Sequence, residues 1–287
     1  MGEEIRIATF NAENFFMLLD KDYSGEEFEA LSDSDYAAMN ASIYNPNKDR
    51  GKVAAIADII MKEDFDVVGL CEIGGVETLA NFTRYYLSGR YDYYLHQENS
   101  RRGIFVGALV KKGRFDEVEA GNVRVDFSRN LLELRLASGR LEFSAFVVHL
   151  KSQHGQDRGI EKRLEEIEGL RSLVAGRRAC VVLGDFNGIA IRGHSQFEFD
   201  RFLELPLRDV LEAVGVPEGA RFTHFYFAAG KPSFAQLDYI FCSDDIAILG
   251  GGAMADMVPL NFAQRRRLPS DHVFLKATIA PPERDQT

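Results

Sequence analysis

The sequence predicts an α+β fold of four layers, with two β-sheets packed face to face and helices on both outer faces. Two observations carry that expectation. The first is a series of apolar runs at 5–10, 67–71, 105–110, 141–148, 180–183, 237–242 and 273–279. Their length and their Val, Ile, Phe and Tyr content favour strands, several of them buried on both faces. The second is the helical period between some of these runs. Segment 52–62 carries Val53, Ile56, Ile59 and Ile60 on one stripe. Segment 157–174 carries Ile160, Leu164, Ile167, Leu170 and Val174 at steps of four and three, and Gly176 closes it.

Segment 19–50 is polar and acidic without a firm period, which predicts a surface insertion with one short helix near 36–42. With 287 residues and no repeat or linker, the chain is expected to form one domain over 1–287.

Bulk properties exclude several classes of function. A net charge of −10 argues against a protein that simply coats nucleic acid. It leaves room for an enzyme with a basic rim around an acidic centre. No apolar stretch reaches the roughly 18 residues of a membrane span. Met1-Gly2-Glu3-Glu4 lacks the start of a secretory signal, so a cytoplasmic protein is expected; separately, a monomer is expected. Cys71, Cys180 and Cys242 each lie in an apolar run without zinc-site spacing, which predicts reduced thiols acting as small hydrophobes.

Chemistry enters where polar residues end the apolar runs. Glu72 follows 67–71, His149 follows 143–148 with Lys151 close behind, and Asp185 follows 180–184 with Asn187 two residues on. Asn11 ends the first run, Asp238 sits inside the run 236–242, and Asp271 and His272 precede the last. Alone, a carboxylate at a strand end is a turn former or a helix cap, and a buried histidine is a hydrogen-bonded core residue. Those readings would have to hold independently at five or six strand ends. Carboxylates and carboxamides supply hard oxygen ligands, which suit Mg²⁺ or Mn²⁺. Two histidines beside such a centre suit proton transfer or phosphate binding. Adjacent residues on a strand point oppositely, so the partner of His272 must come from elsewhere than Asp271, and Asp238 is the candidate.

Phe10-Asn11-Ala12-Glu13-Asn14-Phe15-Phe16, Gly69-Leu70-Cys71-Glu72, Val148-His149-Leu150-Lys151-Ser152, Gly184-Asp185-Phe186-Asn187, Leu237-Asp238-Tyr239 and Ser270-Asp271-His272 occur in an order that resembles the endonuclease/exonuclease/phosphatase superfamily, most closely its bacterial endonuclease-type, deoxyribonuclease I-like members. The resemblance runs from about residue 5 to 279 and implies the same four-layer sandwich. It implies Mg²⁺-dependent hydrolysis of phosphodiesters, with a nucleic acid as the leading substrate. Glu72, Asn11 and Asp271 would bind the metal. Asp185 would orient or deprotonate water, and Asn187 would hold a phosphate oxygen. His272, oriented by Asp238, would meet the scissile phosphate, and His149 would help protonate the leaving oxygen. Arg102 and Lys151 are candidate phosphate contacts, with His154, Arg158 and Arg265-Arg266-Arg267 as a basic rim. The chain lacks the Trp-Cys-Asp-Arg type of sequence found in inositol polyphosphate phosphatases and has no Trp at all, which demotes that branch. A phospholipid, nucleotide or sugar-phosphate substrate is the alternative, and a silent binding protein on the same fold comes third.

Overall fold

A computed structural model describes residues 3–283 apart from 41, 99, 101, 124–125, 154–156, 158, 229–230, 255–258 and 260. His154 and Arg158, expected in the basic rim, lie outside the described residues.

In chain order the strands are β1 (Ile5–Phe15), β2 (Val67–Ile73), β3 (Tyr91–Leu95), β4 (Phe105–Lys111), β5 (Glu117–Asn122), β6 (Leu132–Ser138), β7 (Leu141–His149), β8 (Cys180–Asp185), β9 (Leu207–Asp209), β10 (His224–Ala228), β11 (Lys231–Ala235), β12 (Asp238–Ser243), β13 (Ala247–Ala253) and β14 (Leu275–Ala280). They form two mixed six-stranded sheets, β13-β14-β1-β2-β4-β3 and β5-β6-β7-β8-β12-β9, while β10 and β11 make a separate hairpin. Each sheet has one parallel pair at its centre, β1 with β2 and β7 with β8, and its other pairs are antiparallel.

Three apolar cores separate the four layers. Ile7, Val67, Val106, Leu134, Val147, Leu183, Ile240 and Leu275 fill the space between the sheets. The outer face of the first sheet packs Phe10, Val68 and Leu70 against Val53, Ile56 and Ile60 of the helix Arg50–Glu63 and Leu79 and Phe82 of the helix Val76–Tyr85. The outer face of the second packs Phe146, Val148 and Phe241 against Ile167 and Leu170 of the helix Ile160–Val174. Central strands are therefore apolar on both faces, which is why they read as continuous runs. The fold is the α+β sandwich that the sequence predicts.

Local differences have physical causes. The helix expected from 157 starts at Ile160, because both carboxylate oxygens of Asp157 accept backbone N–H bonds, from Gly159 and Glu161, and hold it ahead of the first turn. The short helix expected near 36–42 is replaced by Gly25–Ala30, capped by Ser24 and Glu27, and Asp33–Ala38, capped by Ser32. Their buried Phe28 and Tyr36 pack on the outer face of the first sheet, so segment 19–50 contributes to the core. Cys71, Cys180 and Cys242 are buried free thiols. Among the described residues no helix is long and apolar enough to cross a membrane.

Candidate active site

In each parallel pair both strands end on the same edge, and the antiparallel β12 and β14 begin there. That edge brings together Asn11 from β1, Glu72 from β2, His149 from β7, Asp185 from β8, Asp238 at the start of β12 and His272 just before β14. Ligands of open α/β sheets gather at the carboxyl ends of parallel strands for the same topological reason.

The backbone departs from regular strand geometry at this edge. Glu13, Asn14, Glu72 and Asn187 are non-glycine residues with φ of 47°, 51°, 62° and 51°. The register of β1 on β2 shifts between Asn11 and Phe15, and that of β2 on β4 between Leu70 and Ile73. Such bulges re-aim side chains, and left-handed non-glycine residues cost about 1–3 kcal/mol each, a strain that clusters at functional sites.

Asp185 is the hub. It is paired by register with His149 and with Asp238. Asn11 Nδ2 donates to its Oδ2 at 2.9 Å, Asn187 Nδ2 donates to the same oxygen at 3.2 Å, and the Asn187 backbone N–H donates to Oδ1 at 2.8 Å. His149 Nε2 lies 3.5 Å and His272 Nε2 3.9 Å from Oδ2. Burial raises the Asp185 carboxyl well above the ordinary carboxylate range, although His272 and the hydrogen-bond donors pull the other way.

The two histidines are tuned in opposite directions. His272 Nδ1 is 2.6 Å from Asp238 Oδ2. Burial opposes its charge, but the negative Asp238, with Asp185 and Asp271 beyond, outweighs that and raises its pKa to about 10. Burial pushes His149 well below the usual histidine value, and Arg129, His272 and Arg102 add to the effect. His149 is therefore a neutral imidazole. Its Nε2 faces both Asp185 and Glu72, the latter at 3.9 Å, while buried Nδ1 has no hydrogen-bond partner among the described residues. The proton accordingly belongs on Nε2.

Glu72 holds the other flank. One oxygen accepts the Asn14 backbone N–H at 2.9 Å, and among the described residues no Lys or Arg pairs with the carboxylate. Asn11 Oδ1 accepts the Glu13 N–H, and Asp271 lies between His272 Nε2 at 3.9 Å and Arg265 Nη2 at 3.6 Å. A row of carboxylates, Asp185 and Asp238 buried and Glu72 and Asp271 half-buried, with carboxamide oxygens beside it, fits a hard divalent ion. A second grouping, His224, Asp271 and His272, keeps its ligand atoms within 4.8 Å of one another. The charge that Asp238 and its neighbours hold on His272 competes with metal binding there.

Outside this row, Arg102 Nη2 donates to Asn14 Oδ1 at 3.3 Å. Lys151 is fixed through its backbone, with N–H to Glu166 Oε2 and C=O from Arg163. Arg265 is taken by Glu13 at 2.6 Å, while Arg266 and Arg267 are exposed.

Sequence reasoning passed over two residues of the neighbourhood. Arg129 is buried, donates to the Leu150 carbonyl and lies close enough to Glu72 and Asp185 for both to act on its charge. His224 forms an isolated bridge with His272 and brings its ring within 4.7 Å. The Thr-His-Phe triplet 223–225 ahead of Asp238 was the available signal for His224, since Thr223 Oγ1 accepts the Asp238 N–H.

Comparisons with known proteins agree with this architecture. A search of curated proteins finds no match. Among solved structures, the chain is similar to D. rerio TDP2 complexed with a single-strand DNA product, at 17% identity and a TM-score of 0.64, covering 96% of this chain and 98% of that one. It is also similar to an endonuclease/exonuclease/phosphatase family protein from Bacteroides thetaiotaomicron, at 16% identity and 0.62 over 97% and 98% of the two chains. A mannosyl-6-phosphatase of the same bacterium matches at 17% and 0.60 over 96% and 99%. The model of the Endonuclease/Exonuclease/phosphatase family matches residues 8–272, and the chain belongs to that family.

Proposed function

We propose that this protein hydrolyses phosphodiester bonds with a bound Mg²⁺ or Mn²⁺, and that its substrate is a nucleic acid, DNA or RNA. The observation that carries the reading is the Asp185 carboxylate, buried within 3.9 Å of two histidines whose pKa values shift in opposite directions and bonded to two carboxamides. A raised carboxylate can take a proton near neutrality, a charged histidine can stabilise an anion, and a neutral one can donate a hydrogen bond and relay a proton.

In this reading Asp185 accepts a proton from water as its oxygen attacks phosphorus in line with the leaving oxygen. Asn187 and His272 bind non-bridging oxygens, and the Asp238 carboxylate keeps His272 charged while charge develops there. As the bond from phosphorus to the leaving oxygen breaks, His149 gives its Nε2 proton to that oxygen while Nε2 takes up the proton that Asp185, 3.5 Å away, has drawn from water, so the imidazole ends neutral as it began. Glu72, Asn11 and Asp271 would hold the divalent cation, which when bound neutralises phosphate charge and stabilises the leaving oxygen. Arg102 and Arg129 border this space, and with Lys151, which follows His149 by two residues, they would supply positive charge to the phosphate. The whole of 1–287 acts as one domain in this proposal.

The single-strand DNA product in the D. rerio structure supports a nucleic acid. A second reading, a sugar-phosphate or other small phosphoester, is favoured by the net charge of −10 and by the likeness to a mannosyl-6-phosphatase. The test is hydrolysis of oligonucleotides beside a panel of small phosphoesters, with and without Mg²⁺ or Mn²⁺. Metal-dependent cleavage of oligonucleotides that disappears in Asp185→Ala supports the proposal. Hydrolysis confined to small monoesters supports the second reading.

A further inference from the structure

Arg265 and Asp271 border a cleft of about 520 Å³. Lys52, Tyr226, Phe227, Phe262, Arg265 and Arg266 border it, and it shares Asp271 with the reaction centre. Its aromatic residues are not core. Tyr226 is 59% and Phe262 58% exposed, whereas Phe225 between them in the lining is 1% exposed and supports Arg265, whose guanidinium carbon lies 5.8 Å from its ring centroid. The Phe227 and Phe262 rings meet edge to face, with centroids 6.3 Å apart. One exposed aromatic needs no explanation, but two at one cleft beside a reaction centre mark a contact surface.

The charges of the cleft are unequal in kind. Arg265 is neutralised by Glu13. Arg266 and Lys52 have no carboxylate within ion-pair distance among the described residues. In a chain of net charge −10, two cations without an ion-pair partner among the described residues, beside two exposed rings, form a local device with a basic edge and an aromatic wall. The chemistry that satisfies both at once is a nucleotide, with a flat ring and a phosphate.

We propose that this cleft is a nucleotide subsite. It takes an unpaired base of a single-stranded nucleic acid against Phe262 and Tyr226, and the phosphate next to the scissile one against Arg266 and Lys52. The inference rests on the nucleic-acid reading above and narrows it to unpaired strands. A base inside a duplex is already stacked on its neighbours and cannot offer its face to a protein ring. Stacking tolerates any base, so the subsite confers strand preference and not sequence preference.

The test is equilibrium binding by fluorescence anisotropy in EDTA, where hydrolysis is suppressed. The probes are fluorescein-labelled single-stranded DNA and RNA oligonucleotides and the same DNA as a duplex. Wild type is expected to bind a single-stranded form more tightly than the duplex. Phe262→Ala should weaken that binding by on the order of tenfold, the size of a lost base–aromatic stack. Phe262→Leu keeps apolar bulk without the π-face and should weaken it similarly, and circular dichroism selects the variant that folds. Arg266→Ala should lower the salt slope by about 0.7. Duplex bound as tightly as single strands, or both Phe262 variants binding like wild type, would overturn the subsite. Hydrolysis of bis(p-nitrophenyl) phosphate by wild type judges the catalytic reading separately, because the binding assay does not depend on turnover.

Discussion

A Cβ on Gly184 would collide with the carbonyl oxygen of Val148, which faces it in the parallel register of β7 and β8. Gly184 also has a φ of +142°, a conformation closed to other residues. The next register pair is His149 with Asp185, so the close approach of two backbones sets the 3.5 Å contact between the histidine and the hub carboxylate.

Gly184→Ala should therefore lower stability by more than about 1 kcal/mol, the usual scale for alanine at a positive φ, with the collision adding to it. Urea denaturation followed by circular dichroism checks this. An unfolding midpoint equal to wild type would show that the strands have room to separate.

The Asp238–His272 pair sets a pH limb. The His272 pKa is raised from an ordinary 6.5 to about 10, so the ring stays charged through neutrality, and activity that needs this charge falls as pH rises through about 10. In Asp238→Asn the chief raising charge is gone, and the alkaline limb should move down toward 6.5. The linkage has the same sign for stability, because the contribution is complete below 6.5 and is lost as pH climbs toward 10. A pH–rate profile of the variant that superimposes on wild type would remove His272 from the mechanism.

Glu72→Gln keeps an acceptor for the Asn14 N–H and removes the negative charge. Mg²⁺ binding, measured by calorimetry, should weaken by at least the roughly 10–100-fold typical of losing an outer-shell partner. Unchanged affinity would move the metal away from β2, toward the grouping of His224, Asp271 and His272.

Arg129 is one of the positive charges that hold the His149 pKa down. In Arg129→Ala an NMR titration should find His149 protonating at higher pH than in wild type. No change would mean that burial, with His272 and Arg102, sets its state without Arg129.

The strand-end residues were legible because acids, amides and histidines interrupt runs that are otherwise apolar on both faces. Edge strands were not. β5 alternates exposed and half-buried residues, and β3 is exposed at Asp92 and Tyr93, so neither forms an apolar run. The helix Val76–Tyr85 buries Thr78, Asn81 and Thr83 beside Leu79 and Phe82, which blurs its period. Segment 19–50 looked like plain surface because its buried Phe28 and Tyr36 belong to two separate short helices and share no period. Arg129 sits in Asp126-Phe127-Ser128-Arg129-Asn130, which reads as a polar loop. Its burial depends on the Leu150 carbonyl and on Glu166, whose Oε1 takes both the Ser128 N–H and hydroxyl, and these partners are far off in sequence.

The proposed role of Asp185, as hub of a metal-dependent phosphodiesterase, makes it the position on which hydrolysis should depend most. The most direct measurement is the hydrolysis rate of a single-stranded oligonucleotide by wild type and Asp185→Asn, each with Mg²⁺ and with EDTA. Mg²⁺-dependent cleavage by wild type is expected, with a loss of about 10²–10⁴-fold in Asp185→Asn, the contribution of a general base. Full activity in the variant, or cleavage indifferent to EDTA, would contradict that role.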